Sequence, residues 1–150
     1  MTSKLNTNNE DYTSIKLWYS EWENYVQNKN YSSAMNLFNN DVISFGTWMD
    51  VVQGLDQLQL NQWKNIWPTI GKFRFLTDTL LIQSLPDKLF ANSIIIWDSI
   101  GYKKDGNSFE RTGRATVTLK RDNFNTNWKG IHTHFSLNRG VSQQSFGNFK

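Results

Sequence analysis

The stretch Trp128-Lys129-Gly130-Ile131-His132-Thr133-His134-Phe135-Ser136 decides how this chain is read. It has strong β character and holds both histidines of the protein, two residues apart. In an extended strand, residues i and i+2 share a face. His132 and His134 therefore stand beside Trp128 and Ser136, while Ile131, Thr133 and Phe135 look the other way. Neither face is plainly apolar, whereas a half-buried strand ordinarily has one face that is. More than core filling is asked of this strand.

Three further strand-like runs precede it, at Phe73 to Gln83, Leu89 to Trp97 and Arg111 to Lys120, rich in Ile, Thr, Phe and Val. Turn chemistry separates them, as Leu85-Pro86-Asp87, Lys104-Asp105-Gly106-Asn107 and Arg121-Asp122-Asn123. The first half of the chain has another period. Ile15, Trp18, Tyr19, Trp22 and Val26 recur at helical spacing behind the capping candidates Asn8, Asn9 and Asp11. A short helix is expected from about Ser32 to Phe38, then a strand Val42-Ile43-Ser44-Phe45. Another helix is entered after Gly54, carries Leu55, Leu58, Trp63, Ile66 and Trp67, and stops at Pro68. Helices first and hairpin-connected strands after them predict an α+β fold. A long, twisted antiparallel sheet curls around the helices, one face enclosing a cavity and the other free for a partner. Residues 1 to 11 are expected to be a disordered lead-in, 12 to 140 a single domain, and 141 to 150 a loose tail.

Composition bounds the function. The chain has 150 residues, ten Phe and seven Trp, enough for a sizeable core or a lined cavity. Its net charge of +3 is scattered and forms no stripe, so a nucleic-acid partner is not expected. No cysteine is present, which removes disulfides and thiolate metal sites. The polar, Asn-rich start has no signal-peptide pattern, and no apolar run reaches membrane-spanning length. A soluble, cytoplasmic protein without a membrane partner is expected.

The His132-x-His134 pair can supply two metal ligands, but only Asp98 or Glu110 suggest a third. Neither HExxH nor cysteine supports that reading, so no metal and no cofactor are expected. Arg114, Thr116 and Thr118 share one face of their strand, and Ala115, Val117 and Leu119 the other. An inward arginine needs a partner: an anionic ligand held by its fork, or a carboxylate in an edge salt bridge. Trp48, in Phe45-Gly46-Thr47-Trp48-Met49, is placed at a cavity mouth or in lid packing, and Trp97 on the cavity wall. Asp41, Asp50 and Asp98 are conceivable general bases, with no spacing that singles one out, and no catalytic residue is assigned. No phosphate loop and no nucleophile–base motif is present.

The order of elements resembles the SnoaL-like, ketosteroid isomerase-like branch of the nuclear transport factor 2-like superfamily. The resemblance runs from about residue 12 to 140. It rests on Leu37-Phe38-Asn39-Asn40-Asp41-Val42, Gly54-Leu55, Arg114-Ala115-Thr116-Val117-Thr118-Leu119 and the final strand. The association domain of calcium/calmodulin-dependent kinase is similar too, sharing the WxxxHxH pattern of Trp128, His132 and His134. The resemblance implies a cone, a curved sheet wrapped around helices with a pocket at one end, and homodimers through the outer face. It puts Ile95, Thr116 and Phe135 on the inner wall, with Arg114 as the nearby charge. It puts His132 and His134 on the outer face with Trp128, unless a β-bulge reverses the parity. The expected ligand-binding residues are therefore Trp48, Trp97, Arg114, Thr116, Thr133 and Phe135, with His132 and His134 at a dimer interface or an alternative pocket. Two functions are carried forward. One is binding of a small apolar or weakly anionic molecule in the cone pocket, with isomerase, dehydratase or cyclase chemistry as an extension. The other is a non-catalytic homodimeric association module.

Overall fold

The computed structural model describes residues 9 to 148. Helix α1 (Asn9–Asn28) buries Ile15, Trp18, Tyr19, Trp22 and Val26 along one stripe, as their spacing requires. Helix α2 (Tyr31–Met35) is capped by the Asn30 side chain on the Ser33 N–H. It ends earlier than expected. The carbonyl of Leu37 is taken by the Trp18 indole N–H at 3.2 Å and the Gly130 N–H at 2.8 Å, and Phe38 already belongs to β1 (Phe38–Phe45). A third helical stretch begins at Leu55 behind Gly54, whose φ of +92° suits glycine. It is irregular: Leu55–Gln57 is α-helical, Leu58–Trp63 is a π-helix, Lys64–Ile66 is α-helical and Trp67–Thr69 is a 3-10 turn around Pro68.

The sheet contains β2 (Val52–Gln53), β3 (Gly71–Ser84), β4 (Phe90–Tyr102), β5 (Ser108–Glu110), β6 (Gly113–Lys120) and β7 (Lys129–Leu137) besides β1. Its order is β2-β1-β7-β6-β4-β3, with β5 paired to β4. All pairs are antiparallel except β1 with β7, because the helices carry the chain across the sheet between them. The short β2 and β5 carry too few residues for an alternation signal. Irregularities in β1, β3 and β7 bend the sheet around α1 and the third helical stretch. The α+β curved-sheet architecture expected from the sequence is the one observed.

One irregularity corrects the reading of the last strand. Leu119 pairs with Gly130 and Thr118 with His132, so Ile131 is the extra residue of a bulge. The parity flips there. His132 and His134 face outward, but Trp128 lies inside, its indole N–H bonded to Ser14 Oγ at 2.9 Å.

The edge strand β3 is closed by the helix. Phe75 donates its N–H to Glu23 Oε1 at 2.6 Å, Gln27 Nε2 donates to the Phe73 carbonyl at 2.6 Å, and the Tyr12 hydroxyl reaches the Thr77 carbonyl at 3.3 Å. Side chains of α1 thus stand in for a neighbouring strand. The buried Asp11–Arg121 ion pair, 2.8 Å, ties the start of α1 to the β6–β7 turn, where Arg121 also covers the Trp128 ring. Asn9 to Asp11 are therefore helical, and the rest of the expected lead-in lies outside the described residues. Within the segment read as a loose tail, Ser145 to Gly147 lie against the body. Ser145 Oγ accepts from the Tyr102 N–H at 2.9 Å and donates to the Thr69 carbonyl, and Phe146 N–H reaches the Tyr102 carbonyl at 2.8 Å.

Candidate functional site

The concave face of the sheet and the helices enclose one aromatic cavity. Trp22 and Val26 of α1 form one wall, and Leu58, Trp63 and Trp67 a second. Ser44, Phe73, Trp97, Thr133 and Phe135 form the third, with Gly46 and Thr47 on its rim. It offers about 50 Å³ to the centre of a water-sized sphere and about 540 Å³ of empty space in all, part of it open to solvent. A single water needs about 10–15 Å³ on the first measure, so the cavity is roomy enough for several waters or a slim organic molecule.

One charge lies in this apolar setting. Arg111, between β5 and β6, is 1 % exposed. Its backbone is fixed by Ser99, whose carbonyl accepts the Arg111 N–H at 2.8 Å and whose hydroxyl donates to the Arg111 carbonyl at 2.7 Å. Its guanidinium sits 5.6 Å from the centre of the Trp97 ring. Nη2 donates to Thr47 Oγ1 at 3.1 Å and, more weakly, to the Gln143 carbonyl at 3.4 Å. No carboxylate pairs with it among the described residues, and Nε is buried without an acceptor. Burial alone pushes its pKa down to about 10.

The other polar groups on the wall point the same way chemically. The indole N–H groups of Trp22 and Trp97 are also buried without acceptors. Ser44 and Thr133 share one hydroxyl bond of 2.7 Å. Gln62, 8 % exposed, is buried beside Leu58 and Trp63 in the π-helix, and its Oε1 accepts from the Trp48 and Met49 N–H groups at 3.2 and 2.8 Å. A side chain at Gly46 would overlap the Gln62 amide. Among the described residues, no Asp, Glu, His, Lys or Tyr lines the wall.

Of the residues expected at the ligand, Trp97, Thr133 and Phe135 line this cavity. Trp48 does not; it is 47 % exposed, with only its backbone N–H turned to the wall. Arg114 and Thr116 lie on the outer face, because Ala115, Val117 and Leu119 take the buried positions of β6. Arg114 Nε donates there to Ser136 Oγ at 3.3 Å. Ile95 faces inward as expected, buried in the core. Asp41 and Asp50 are exposed, and Asp98 bonds Arg74 at 3.3 Å away from the cavity. His132 Nδ1 lies 2.7 Å from the Ile43 carbonyl, and both imidazoles stand edge-on to Phe45. No cluster of three metal-ligating side chains occurs among the described residues. Arg111 was the residue to find. Simple alternation puts it with Gly113, Ala115, Val117 and Leu119 on the apolar face.

Neither a family model nor a curated protein matches this sequence. Solved structures do match the fold. A nuclear transport factor 2-like superfamily protein from Salmonella enterica serovar Typhimurium aligns over 85 % of this chain and 91 % of its own, with TM-score 0.71 and 17 % identity. A calcium/calmodulin-dependent protein kinase II association-domain-like protein from Xanthomonas campestris aligns over 85 % and 87 %, with TM-score 0.68 and 18 % identity. A ketosteroid isomerase-like protein from Erwinia carotovora atroseptica aligns over 87 % and 98 %, with TM-score 0.69 and 13 % identity. The chain has the nuclear transport factor 2-like fold, and at these identities the likeness carries the fold alone.

Proposed function

We propose that the protein binds a small, largely apolar molecule bearing a carboxylate, and that Arg111 holds the carboxylate inside the cone. The carrying observation is a buried arginine, its guanidinium 5.6 Å from the centre of the Trp97 ring, with no acidic partner among the described residues. A buried charge is retained when something pairs with it, and a carboxylate matches the guanidinium fork. The aromatic walls favour a flat ring or short hydrocarbon for the rest of the ligand. Isomerase, dehydratase or cyclase chemistry by proton abstraction needs a base within about 3 Å of the reacting carbon. The wall supplies none, so binding is the reading the site supports. Phenylacetate is expected to raise the melting temperature progressively, with the logarithm of its concentration above Kd, and neutral phenylacetamide to leave it unchanged. Equal shifts from both would contradict the reading.

A second reading concerns the outer face. Ile94 and Ile96 are 36 % and 43 % exposed on β4, and Ile43 and Phe45 are 45 % and 37 % exposed on β1. Thr116, Thr118, His132 and His134 lie between them. Apolar margins around a polar centre suit face-to-face association of two copies, and this use of the sheet does not compete with the cavity. Sedimentation of the wild type and of an Ile96→Lys, Phe45→Lys variant tests it: a dimer that the double variant abolishes is expected, and a monomeric wild type at all concentrations excludes it.

A further inference from the structure

We infer that Gln62 is a second anchor of the same site, and that it makes the site selective for oxo-carboxylates, acids with a carbonyl oxygen close to the carboxylate. This rests on the Arg111 reading. The amide orientation of Gln62 is fixed by chemistry: Oε1 faces two backbone N–H donors, and the flipped amide would set N–H against N–H. Nε2 is therefore left on the other side, with two hydrogens and no acceptor among the described residues. The local sequence is shaped to keep it there. The π-helix Leu58–Trp63 inserts an extra residue per turn and buries both Gln62 and Trp63, and glycine at 46 leaves room for the amide plane.

Arg111 and Gln62 meet the same turn. Arg111 Nη2 bonds the Thr47 hydroxyl, and Gln62 Oε1 bonds the N–H of the next residue, Trp48. The guanidinium and the amide NH2 can only donate, and both residues line the same cavity. A ligand that satisfies both carries two acceptor groups a few bonds apart: the carboxylate for Arg111 and a carbonyl oxygen for Gln62. A simple carboxylate fills only the first. An ammonium group in the second position, which can only donate, would face N–H and gain nothing.

Phenylglyoxylate and phenylacetate differ by that carbonyl and have the same carbon skeleton. Calorimetric titration of the full chain is expected to show phenylglyoxylate binding about tenfold more tightly than phenylacetate. In Gln62→Leu the preference is expected to fall to about one, with phenylacetate affinity changed less than about threefold. Should Gln62→Leu fail to fold, Gln62→Met, which keeps the chain length without the amide, gives the same comparison. A wild type that binds both acids equally, or a preference that survives the loss of the amide, overturns the assignment. If neither acid binds the wild type, the Arg111 reading fails first and this one falls with it.

Discussion

Holding a charged guanidinium beside an indole with no carboxylate partner among the described residues costs the free protein roughly 3 kcal/mol, the equivalent of its lowered pKa. That cost makes Arg111 testable apart from its neighbours. Arg111→Met keeps the length of the side chain and removes the charge. Replacing a buried charge by an apolar side chain is often neutral or stabilising, so this variant is expected to melt at or above the wild-type temperature. The pH dependence has a definite sign. Burial lowers the Arg111 pKa to about 10, below that of the unfolded chain, so from about pH 10 upward, until the unfolded group itself titrates, the unfolded state binds more protons. Stability of the ligand-free protein is therefore gained, not lost, through that window on account of this group. Carboxylate binding goes the opposite way. It needs the charged form, so affinity is expected to be level from about pH 6 to 9 and to fall about tenfold per unit above 10, followed by titration calorimetry in matched buffers. The signal for Arg111 was present in the strand alternation that places it with Ala115 and Val117. An arginine on an apolar face reads locally as an error of register, and Arg114, on the polar face, carried the family pattern instead. A second residue-scale expectation concerns Gly113, where a Cβ would overlap the Ser136 carbonyl and the Trp97 ring. Gly113→Ala is expected to cost about 3 kcal/mol or more in urea unfolding, because the obstruction is backbone rather than a movable side-chain tip.

At the scale of elements, the informative features are those that break periodicity. Ile131 is one extra residue in β7, and it turns Trp128 from the histidine face to the interior. Alternation counts residues, and a bulge alters the count without altering composition. The π-helix shows in the sequence only as one irregular step: Trp63 follows Leu58 by five residues, off an α-helical stripe, whereas Gln62, four after Leu58 and four before Ile66, lies on that stripe and is polar. Helix α1 shows the opposite case. Its apolar stripe was legible, but its polar side chains cap the edge of β3, a role that only the tertiary arrangement reveals. Glu23→Ala is expected to lose about 1–3 kcal/mol and to speed amide exchange at Phe75, while Glu21→Ala, at an exposed site of the same helix, changes stability by less than about 0.5 kcal/mol. Equal effects from the two would remove the edge-capping role.

At the scale of the whole molecule, the architecture follows from element order: helices that bury aromatics, then long strands that must cover them. The short β2 and β5 and the docking of residues 145 to 147 depend on contacts with distant segments, as Ser145 with Thr69 and Tyr102 shows. The cone is proposed to hold a carboxylate at Arg111. Titration of phenylacetate into the wild type and Arg111→Met, with melting curves on the same samples, tests it most directly. Saturable binding to the wild type, and none to a variant that melts no lower, is the expected result; undiminished binding to Arg111→Met would contradict it.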